Sequence, residues 1–342
     1  MPEGATKLLR ELFDGGWLSI GLGCRDVFER SLDDGEREGV PLEDEGAKAR
    51  KQAGHLRDPS IVDSHFKGWA KPGPIPPGAA SPPDVPADET LDAISGHFRI
   101  FQLRDGHRFS TDDVLTAWYG TTWAPRASSI LDLGSGIGSV GMIAAWRLPS
   151  ARVITIETQD ESVRLARKSA AYNGLESRYE IRHGDFRDQG ASKDAPLRED
   201  ERFDLILGSP PYFPLDAGIH GDHPQKVACR FELRGNIADY ASVAARHLAP
   251  GGVFVCVFPE EQHERIERAA RHAGLTIVRR RPVVFREGEA PLVGLFLMMA
   301  RQDLPDAMRE RTWLEPPLII RAADGRVHPE YSAVKLSIGF PP

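Results

Sequence analysis

An acid and three alternating glycines form the first group of residues in this sequence that could hold a ligand. They follow a short apolar run at residues 130–133 and are Asp132, Gly134, Gly136 and Gly138. The apolar residues 140–146 then predict a buried helix. Glycine lets the backbone turn sharply and lets a ligand approach with no Cβ in the way. Since free N–H groups point outward at a helix N-terminus, this strand, turn and helix predict half of a nucleotide-binding βαβ unit.

The glycine loop by itself leaves the ligand open. Gly136, Gly138 and Gly141 also satisfy the G-x-G-x-x-G pattern of NAD-binding domains. A glycine-rich turn can also occur in an α/β domain that binds no nucleotide. Later residues narrow the choice: Glu157 ends a β-branched strand about twenty residues after the loop, where a carboxylate can accept both hydroxyls of a ribose.

Two residues after the third predicted strand offer contacts to an adenine. The strand covers residues 178–183 and is followed by Asp185 and Phe186. The carboxylate could bind the adenine amine and the ring could stack on the base. Asp185 could equally well cap a turn, and the sequence leaves both interpretations open.

The stretch Ser209-Pro210-Pro211-Tyr212 ends a buried strand and forms the second group of candidate residues. The two prolines fix the backbone and remove two N–H donors. The carbonyl groups of Ser209 and Pro210 can therefore point at a donor such as an exocyclic amine. Tyr212 supplies a flat face on which an extruded base can stack. The alternative is a plain proline turn at a strand end.

Residues 110–118 predict the start of a capped helix. Ser110 is a favourable N-cap residue, and Asp112 and Asp113 would lie in the first turn, where the helix dipole favours negative charge. The functional alternative places a carboxylate of this pair near a cationic ligand.

Composition excludes several classes of protein. The 342 residues are 41% hydrophobic and 27% charged, which fits a globular protein with a real core. The net charge of −7 means that a nucleic-acid site would have to be a local basic patch. No apolar stretch is long enough to span a membrane, and the N-terminus carries no signal-peptide pattern.

Cysteine and histidine patterns predict no metal site. Cys24, Cys229 and Cys256 lie far apart without a C-x-x-C motif, which argues against zinc or a disulfide framework and suits a reducing cytoplasm. His220 and His223 lie in a glycine-rich loop but have no convincing third ligand.

The chain divides into four predicted parts. Residues 1–70 form an N-terminal extension without recognisable chemistry, and the dense prolines of residues 71–88 predict a linker. Residues 89–301 form the main domain. Residues 302–342 predict a hairpin-like appendage.

With the glycine loop, Glu157, Asp185 and Ser209-Pro-Pro-Tyr in one register, the chain resembles the class I S-adenosylmethionine-dependent methyltransferases. Residues 89 to about 300 also resemble one branch, the bacterial tRNA adenine-N6 methyltransferases. The segments that carry this second resemblance are residues 89–92, 98–103, 106–115, 230–232 and 248–252. The resemblance implies a Rossmann-like α/β fold, with a mostly parallel seven-stranded sheet, an antiparallel last strand and helices on both faces.

The resemblance also implies S-adenosylmethionine as cofactor and tRNA as partner. Asp132 and the three glycines would contact the methionine part of the cofactor, Glu157 its ribose, and Asp185 with Phe186 its adenine. The strand and helix around Thr111 and Asp112 would close over it.

One departure concerns the acceptor. The adenine-N6 branch has asparagine where this chain has Ser209, and Ser-Pro-Pro-Tyr also occurs in enzymes that methylate the exocyclic amine of cytosine in DNA. We therefore expect methyl transfer to an exocyclic amine, first of all adenine N6 in tRNA. The alternatives are cytosine N4, a protein glutamine amide, or RNA binding with a retained cofactor site and no turnover.

Overall fold

The computed structural model describes residues 65–66, 69–81, 83–190, 195–213, 225 and 231–341. Several sequence-based predictions concern residues outside these ranges. They are the N-terminal extension up to residue 64, the cysteines Cys24 and Cys229, and the loop histidines His220 and His223.

The main domain starts with a hairpin and continues with alternating helices and strands. The first elements are β1 (Glu89–Ser95), β2 (Phe98–Leu103), α1 (Thr111–Trp123), β3 (Ser129–Leu133), α2 (Ser139–Arg147), β4 (Arg152–Glu157), α3 (Asp160–Tyr172) and β5 (Tyr179–His183). Then follow β6 (Phe203–Gly208), α4 (Ile237–His247), β7 (Leu248–Pro259), α5 (His263–His272), β8 (Leu275–Arg286), β9 (Val293–Ala300), β10 (Trp313–Leu314), β11 (Leu318–Arg321) and α6 (Pro329–Ser337). Two-residue strands pair His65–Phe66 with Trp69–Ala70 and Gln189–Gly190 with Leu197–Arg198, and short 3₁₀ helices cover Pro77–Ala80, Glu232–Arg234, Glu260–Gln262, Arg301–Asp303 and Asp306–Met308.

One sheet organises the described part of the chain. Its order is β5-β4-β3-β6-β7-β9-β8, with β10 and β11 both beside β8. Every neighbouring pair is parallel except those of β9, which is antiparallel to β7 and to β8. The chain leaves β3 in one direction and returns to its other side at β6, so a ligand crevice is expected at the carboxyl ends of these two strands.

Helices cover both faces of the sheet. A Cβ added at Gly120 of α1 would lie 2.4 Å from Leu207 of β6, while a Cβ at Gly208 would meet the ring of Tyr240 on α4 at 2.8 Å. Adjacent strand residues point to opposite faces, so α1 and α4 lie on opposite sides of β6. Burial on both faces explains why the central strands are nearly continuous apolar runs.

The α/β fold predicted from the sequence is confirmed, but the expected count of seven strands was too low. Strands β3 to β9 form the predicted set, with its last strand antiparallel. Residues 302–342 then add β10 and β11, both parallel to β8. They join the sheet because an edge strand offers unpaired backbone groups and because Leu318 and Ile320 become buried there. The hairpin-like feature of this tail is one antiparallel bridge between Arg321 and Val327.

The proline-rich segment lies against the domain in the part that the structure describes. A Cβ at Gly73 would be 2.5 Å from Trp146 Nε1, and one at Gly78 would be 2.8 Å from the Tyr172 ring. The C-terminal tail reaches the same region, where Gly96 N donates to the Gly339 carbonyl at 3.0 Å. No helix in the described ranges combines the length and the apolar character needed to cross a bilayer.

Candidate functional site

A cleft lies at the carboxyl ends of β3, β4 and β6, where the strand order reverses. It gathers residues that the sequence analysis proposed from distant stretches of the chain. The proposed residues that line it are Asp112, Asp132, Gly134, Gly136, Glu157, Phe186, Ser209, Pro210, Pro211 and Tyr212. The topology therefore brings the glycine loop, the acid of β4 and the proline turn to one cavity.

Three proposed residues, Thr111, Gly138 and Asp185, lie outside this lining. The Thr111 side chain lies beside the Tyr331 hydroxyl. Gly138 is the N-cap residue of α2, with φ of +87°. Asp185 accepts bonds from the backbone N–H and the guanidinium of Arg187.

The pairing with Arg187 affects the ionisation of the Asp185 carboxyl. Partial burial opposes the charged form, but the Arg187 hydrogen bonds outweigh it and lower the pKa of the Asp185 carboxyl. Both carboxylate oxygens already have donors. A carboxylate oxygen can accept more than one hydrogen bond, so the adenine contact of Asp185 stays a prediction beside the turn-capping interpretation.

The glycine loop has the conformation that its composition predicted. Gly134 and Gly136 have φ of +60° and +55°, a region that residues with a Cβ avoid. A Cβ at Gly134 would also lie 2.2 Å from the Tyr240 hydroxyl. Asp132 at the end of β3 accepts a hydrogen bond from Gly141 N in the first turn of α2, at 2.9 Å.

Glu157 ties the end of β4 to the glycine loop. One carboxylate oxygen accepts from Gly136 N at 2.8 Å, and the other accepts from Thr158 N at 2.9 Å and Gln159 N at 2.8 Å. The side chain is nearly buried yet lines the cleft. Three backbone donors therefore hold this carboxylate in one orientation toward a ligand.

Buried acids dominate the electrostatics of the cleft. Its carboxyl groups belong to Asp112, Asp113, Asp132 and Glu157, each less than a tenth exposed. Burial raises the pKa of Asp112 and raises that of Asp132 well above its usual range. Burial also raises the pKa of Asp113 to about 6, with a further contribution from the neighbouring Asp112 charge.

Such a group of uncompensated acids predicts a cationic ligand, since a nearby positive charge favours their ionised form. Arg234 is the one Arg or Lys among the described residues that line the cleft, and its guanidinium donates to Thr158 Oγ1 at 2.8 Å. A dinucleotide fits less well. Its pyrophosphate would need the α2 N-terminus, where the Asp132 carboxylate already binds Gly141 N.

The proline turn follows β6 directly. It lines the same cleft as the four buried acids Asp112, Asp113, Asp132 and Glu157, which together are called the acidic wall. Ser209 and Pro211 are half-buried, whereas Pro210 and Tyr212 are buried. The Tyr212 hydroxyl donates to Asp112 Oδ2 at 2.6 Å. Its ring packs edge-on against Phe258, with centroids 6.0 Å apart.

Sequence reasoning missed several residues of the cleft, chiefly His107, Asp113, Ser139, Arg234 and Tyr240. Asp113 was considered together with Asp112 but was not proposed as a cofactor contact, and it does accept from Ser110 N at 3.0 Å. Its position next to Asp112 was a usable signal. Tyr240 lies in an ordinary amphipathic helix, and only the structure shows its ring 4.7 Å from that of Phe186. No three His, Cys, Asp or Glu side chains within the described ranges are grouped as metal ligands.

Comparison with known proteins gives the following similarities. Residues 120–272 match the family model of the Methyltransferase small domain. A tRNA1(Val) (adenine(37)-N6)-methyltransferase of Porphyromonas gingivalis is 28% identical over 236 residues, which are 68% of this chain and 89% of that protein. The protein of the same name from Tolumonas auensis is 26% identical over 243 residues, 69% of this chain and 92% of its own.

Two further similarities concern a different acceptor and the fold. A release factor glutamine methyltransferase of Caulobacter vibrioides is 32% identical over 165 residues, 45% of this chain and 53% of that protein. The crystal structure of a "predicted O-methyltransferase" from Agrobacterium tumefaciens aligns with a TM-score of 0.51 and 20% identity, over 67% of this chain and 98% of that one. This last likeness concerns the fold alone.

Proposed function

We propose that this chain, whose residues 120–272 match the family model of the Methyltransferase small domain, transfers a methyl group from S-adenosylmethionine to an exocyclic amine, first of all N6 of an adenine in tRNA. One observation carries the proposal. The proline turn Ser209–Tyr212 and the carboxyl groups of Asp112, Asp132 and Glu157 line the same cleft. An acceptor site and a site for a cationic cofactor are therefore adjacent.

The residues of the cleft fit S-adenosylmethionine in charge and in hydrogen bonding. The sulfonium and ammonium groups of this cofactor are positive, and the acidic wall supplies the opposite charge. Glu157 presents a fixed carboxylate for ribose hydroxyls. Ser135 Oγ, in the glycine loop, is buried without a hydrogen-bond partner and faces the cleft, and a buried hydroxyl of this kind is expected to find a partner in a ligand.

The proline turn would position the acceptor amine. An aromatic amine is a weak nucleophile because its lone pair is delocalised into the ring. The Ser209 hydroxyl and the Pro210 carbonyl would accept hydrogen bonds from its two N–H groups and so direct the lone pair toward the cofactor, and the methylated amine would then release one proton to solvent. The bound cofactor supplies the electrophilic methyl group. Alignment of two reactants can by itself lower a barrier by several kcal/mol, so no general base is required before attack.

The names of the relatives support adenine in tRNA as the leading acceptor. The two adenine-N6 relatives align over about nine-tenths of their own length. A glutamine side chain is the second candidate, because the glutamine methyltransferase has the higher identity, although over only 53% of its length. Ser209, in place of the asparagine of the adenine-N6 branch, is the residue whose effect on acceptor choice needs a direct test.

Labelled S-adenosylmethionine tests the proposal. The wild-type protein is incubated with separate pools of tRNA, DNA and protein, and the products are hydrolysed and identified by mass spectrometry. We expect label in tRNA as N6-methyladenosine. Label only in DNA cytosine or in glutamine would identify a different acceptor but would retain methyl transfer to a nitrogen atom. Absence of label from every pool, with the cofactor bound, would overturn methyl transfer in favour of a binding role.

A further inference from the structure

One hydrogen bond connects the proline turn to the first turn of α1. The Tyr212 hydroxyl, at the end of the proline turn, donates to Asp112 Oδ2 at 2.6 Å. The residues are 100 positions apart in the chain, and each is 8% exposed. Both line the cleft. A short bond to a carboxylate between buried groups belongs to the stronger class of protein hydrogen bonds.

Asp112 depends on this bond for its orientation. Among the described residues, Tyr212 is the one side-chain donor to the Asp112 carboxylate. Its neighbours in the first turn and on α6 are a second acid, Asp113, and the phenol of Tyr331. Burial raises the pKa of Asp112, and the Tyr212 hydrogen bond works against that shift. The phenol therefore favours the ionised form.

The Tyr212 ring has little free surface for a second role. Its centroid lies 6.0 Å from that of Phe258 and 6.5 Å from that of Phe213, with both pairs edge-on. The stacking role suggested by the sequence stays a prediction. The contact that the structure does contain is the one through the hydroxyl.

We propose that Tyr212 is a positioning residue, whose hydroxyl orients the Asp112 carboxylate towards the sulfonium charge of the cofactor. This inference rests on the proposed function, because it needs S-adenosylmethionine in the cleft. The last residue of the proline turn would therefore contribute to cofactor binding. This role also gives a reason for tyrosine, rather than another ring, at this position.

A double-mutant cycle on cofactor affinity tests the inference. Calorimetry measures the dissociation constants of S-adenosylmethionine and S-adenosylhomocysteine for the wild type, Tyr212→Phe, Asp112→Asn and the double variant. The second ligand lacks the sulfonium charge. Phenylalanine keeps the ring and its edge contacts, so only the hydroxyl is removed.

Tyr119→Phe is the matched control. Tyr119, on the same helix as Asp112, is 1% exposed, and its hydroxyl donates to Glu315 Oε1 at 2.7 Å, away from the cleft. Thermal unfolding of each variant verifies that it is folded. We expect this control to bind both ligands as the wild type does.

If the inference holds, Tyr212→Phe weakens S-adenosylmethionine binding about tenfold, the usual scale for a lost hydrogen bond to a charged group. S-adenosylhomocysteine binding changes much less. In the Asp112→Asn background, removal of the hydroxyl has little further effect.

Two results would overturn the inference. One is wild-type affinity of Tyr212→Phe for S-adenosylmethionine. The other is an equal loss for both ligands that persists in the Asp112→Asn background, which is the pattern of a packing defect. Failure of the wild-type protein to bind S-adenosylmethionine would instead refute the proposed function, so the two failures are distinguishable.

Discussion

At the scale of single residues, burial of acids makes ligand binding depend on pH. The pKa of Asp113 is raised to about 6, compared with about 3.9 for an exposed aspartate. Between these values the folded protein keeps the group neutral while the unfolded chain ionises it. This group therefore contributes stability that is complete below about pH 4 and is lost as the pH rises through about 6.

The same shift predicts the opposite trend for cofactor affinity. A cation favours ionised Asp113, so we expect binding of S-adenosylmethionine to weaken as the pH falls through about 6, where the carboxyl of the free protein takes up a proton. Calorimetric titrations between about pH 5 and about pH 7.5 measure this change. Asp113→Asn, which keeps an acceptor for Ser110 N, is expected to flatten the profile. A wild-type affinity that does not change with pH would contradict the prediction.

Ser209 allows a second prediction at this scale. Ser209→Ala removes one proposed acceptor for the N–H groups of the amine, and we expect kcat to fall about fivefold to tenfold, since one hydrogen bond contributes about 1 to 1.4 kcal/mol. The affinity for the cofactor should stay the same, because the cofactor-side acids are untouched. Steady-state kinetics and calorimetry separate the two effects.

Ser209→Asn is the informative companion. Its side-chain carbonyl restores an acceptor of the type found in the adenine-N6 branch, so we expect it to transfer methyl groups to adenine at least as fast as the wild type. Unchanged turnover in Ser209→Ala would rule out the proposed role of the hydroxyl.

At the scale of elements, the glycine loop between β3 and α2 depends on two separate requirements. Gly134 in this loop has φ of +60°. Gly251, which lies outside the loop in β7, has φ of +74° and serves as the comparison. A Cβ at Gly134 would collide with the Tyr240 hydroxyl at 2.2 Å, whereas a Cβ at Gly251 would meet nothing within 4 Å. The two positions therefore separate backbone strain from loss of space.

We expect Gly251→Ala to lower the free energy of unfolding by about 1–2 kcal/mol, the usual cost of a Cβ in this region of φ. Gly134→Ala should cost more, because the Tyr240 ring must also move. It should weaken cofactor binding as well, since Gly134 lines the cleft. Chemical denaturation and calorimetry of both variants check this, and equal losses of stability would contradict it.

At the scale of the whole molecule, the C-terminal tail packs against the main domain. The tail adds two strands to the β8 edge and then places α6 beside α1, where Tyr331 lies beside Thr111. Its last described turn meets the β1–β2 hairpin through Gly339. The tail therefore supports the helix that carries Asp112.

Two leucines of the tail test this structural role. Leu318 is fully buried, while Leu314 is 64% exposed. We expect Leu318→Ala to cost about 2–5 kcal/mol of unfolding free energy, as buried leucines do, and Leu314→Ala to change it by less than about 0.5 kcal/mol. Similar stabilities of the two variants would show that the tail adds nothing to the core.

The sequence by itself determined the parts of this protein that depend on local geometry and on strand ends. Alternating glycines permit the positive φ that a sharp turn needs, and a proline pair fixes the local backbone. Because parallel strands end at one edge of a sheet, Asp132, Glu157 and Ser209 could be assigned to one cleft before the fold was known.

Only the tertiary structure decided which side chains meet within that cleft. The Tyr212 hydroxyl finds Asp112 across 100 residues, and Tyr240 reaches the glycine loop from a helix with no distinguishing motif. Asp185 is paired with the nearby Arg187. Trp313–Leu314 and Leu318–Arg321 of the C-terminal tail pair with the β8 edge. Each of these contacts depends on which groups lie nearest to one another in the folded chain, and the spacing of residues along the sequence does not reveal this.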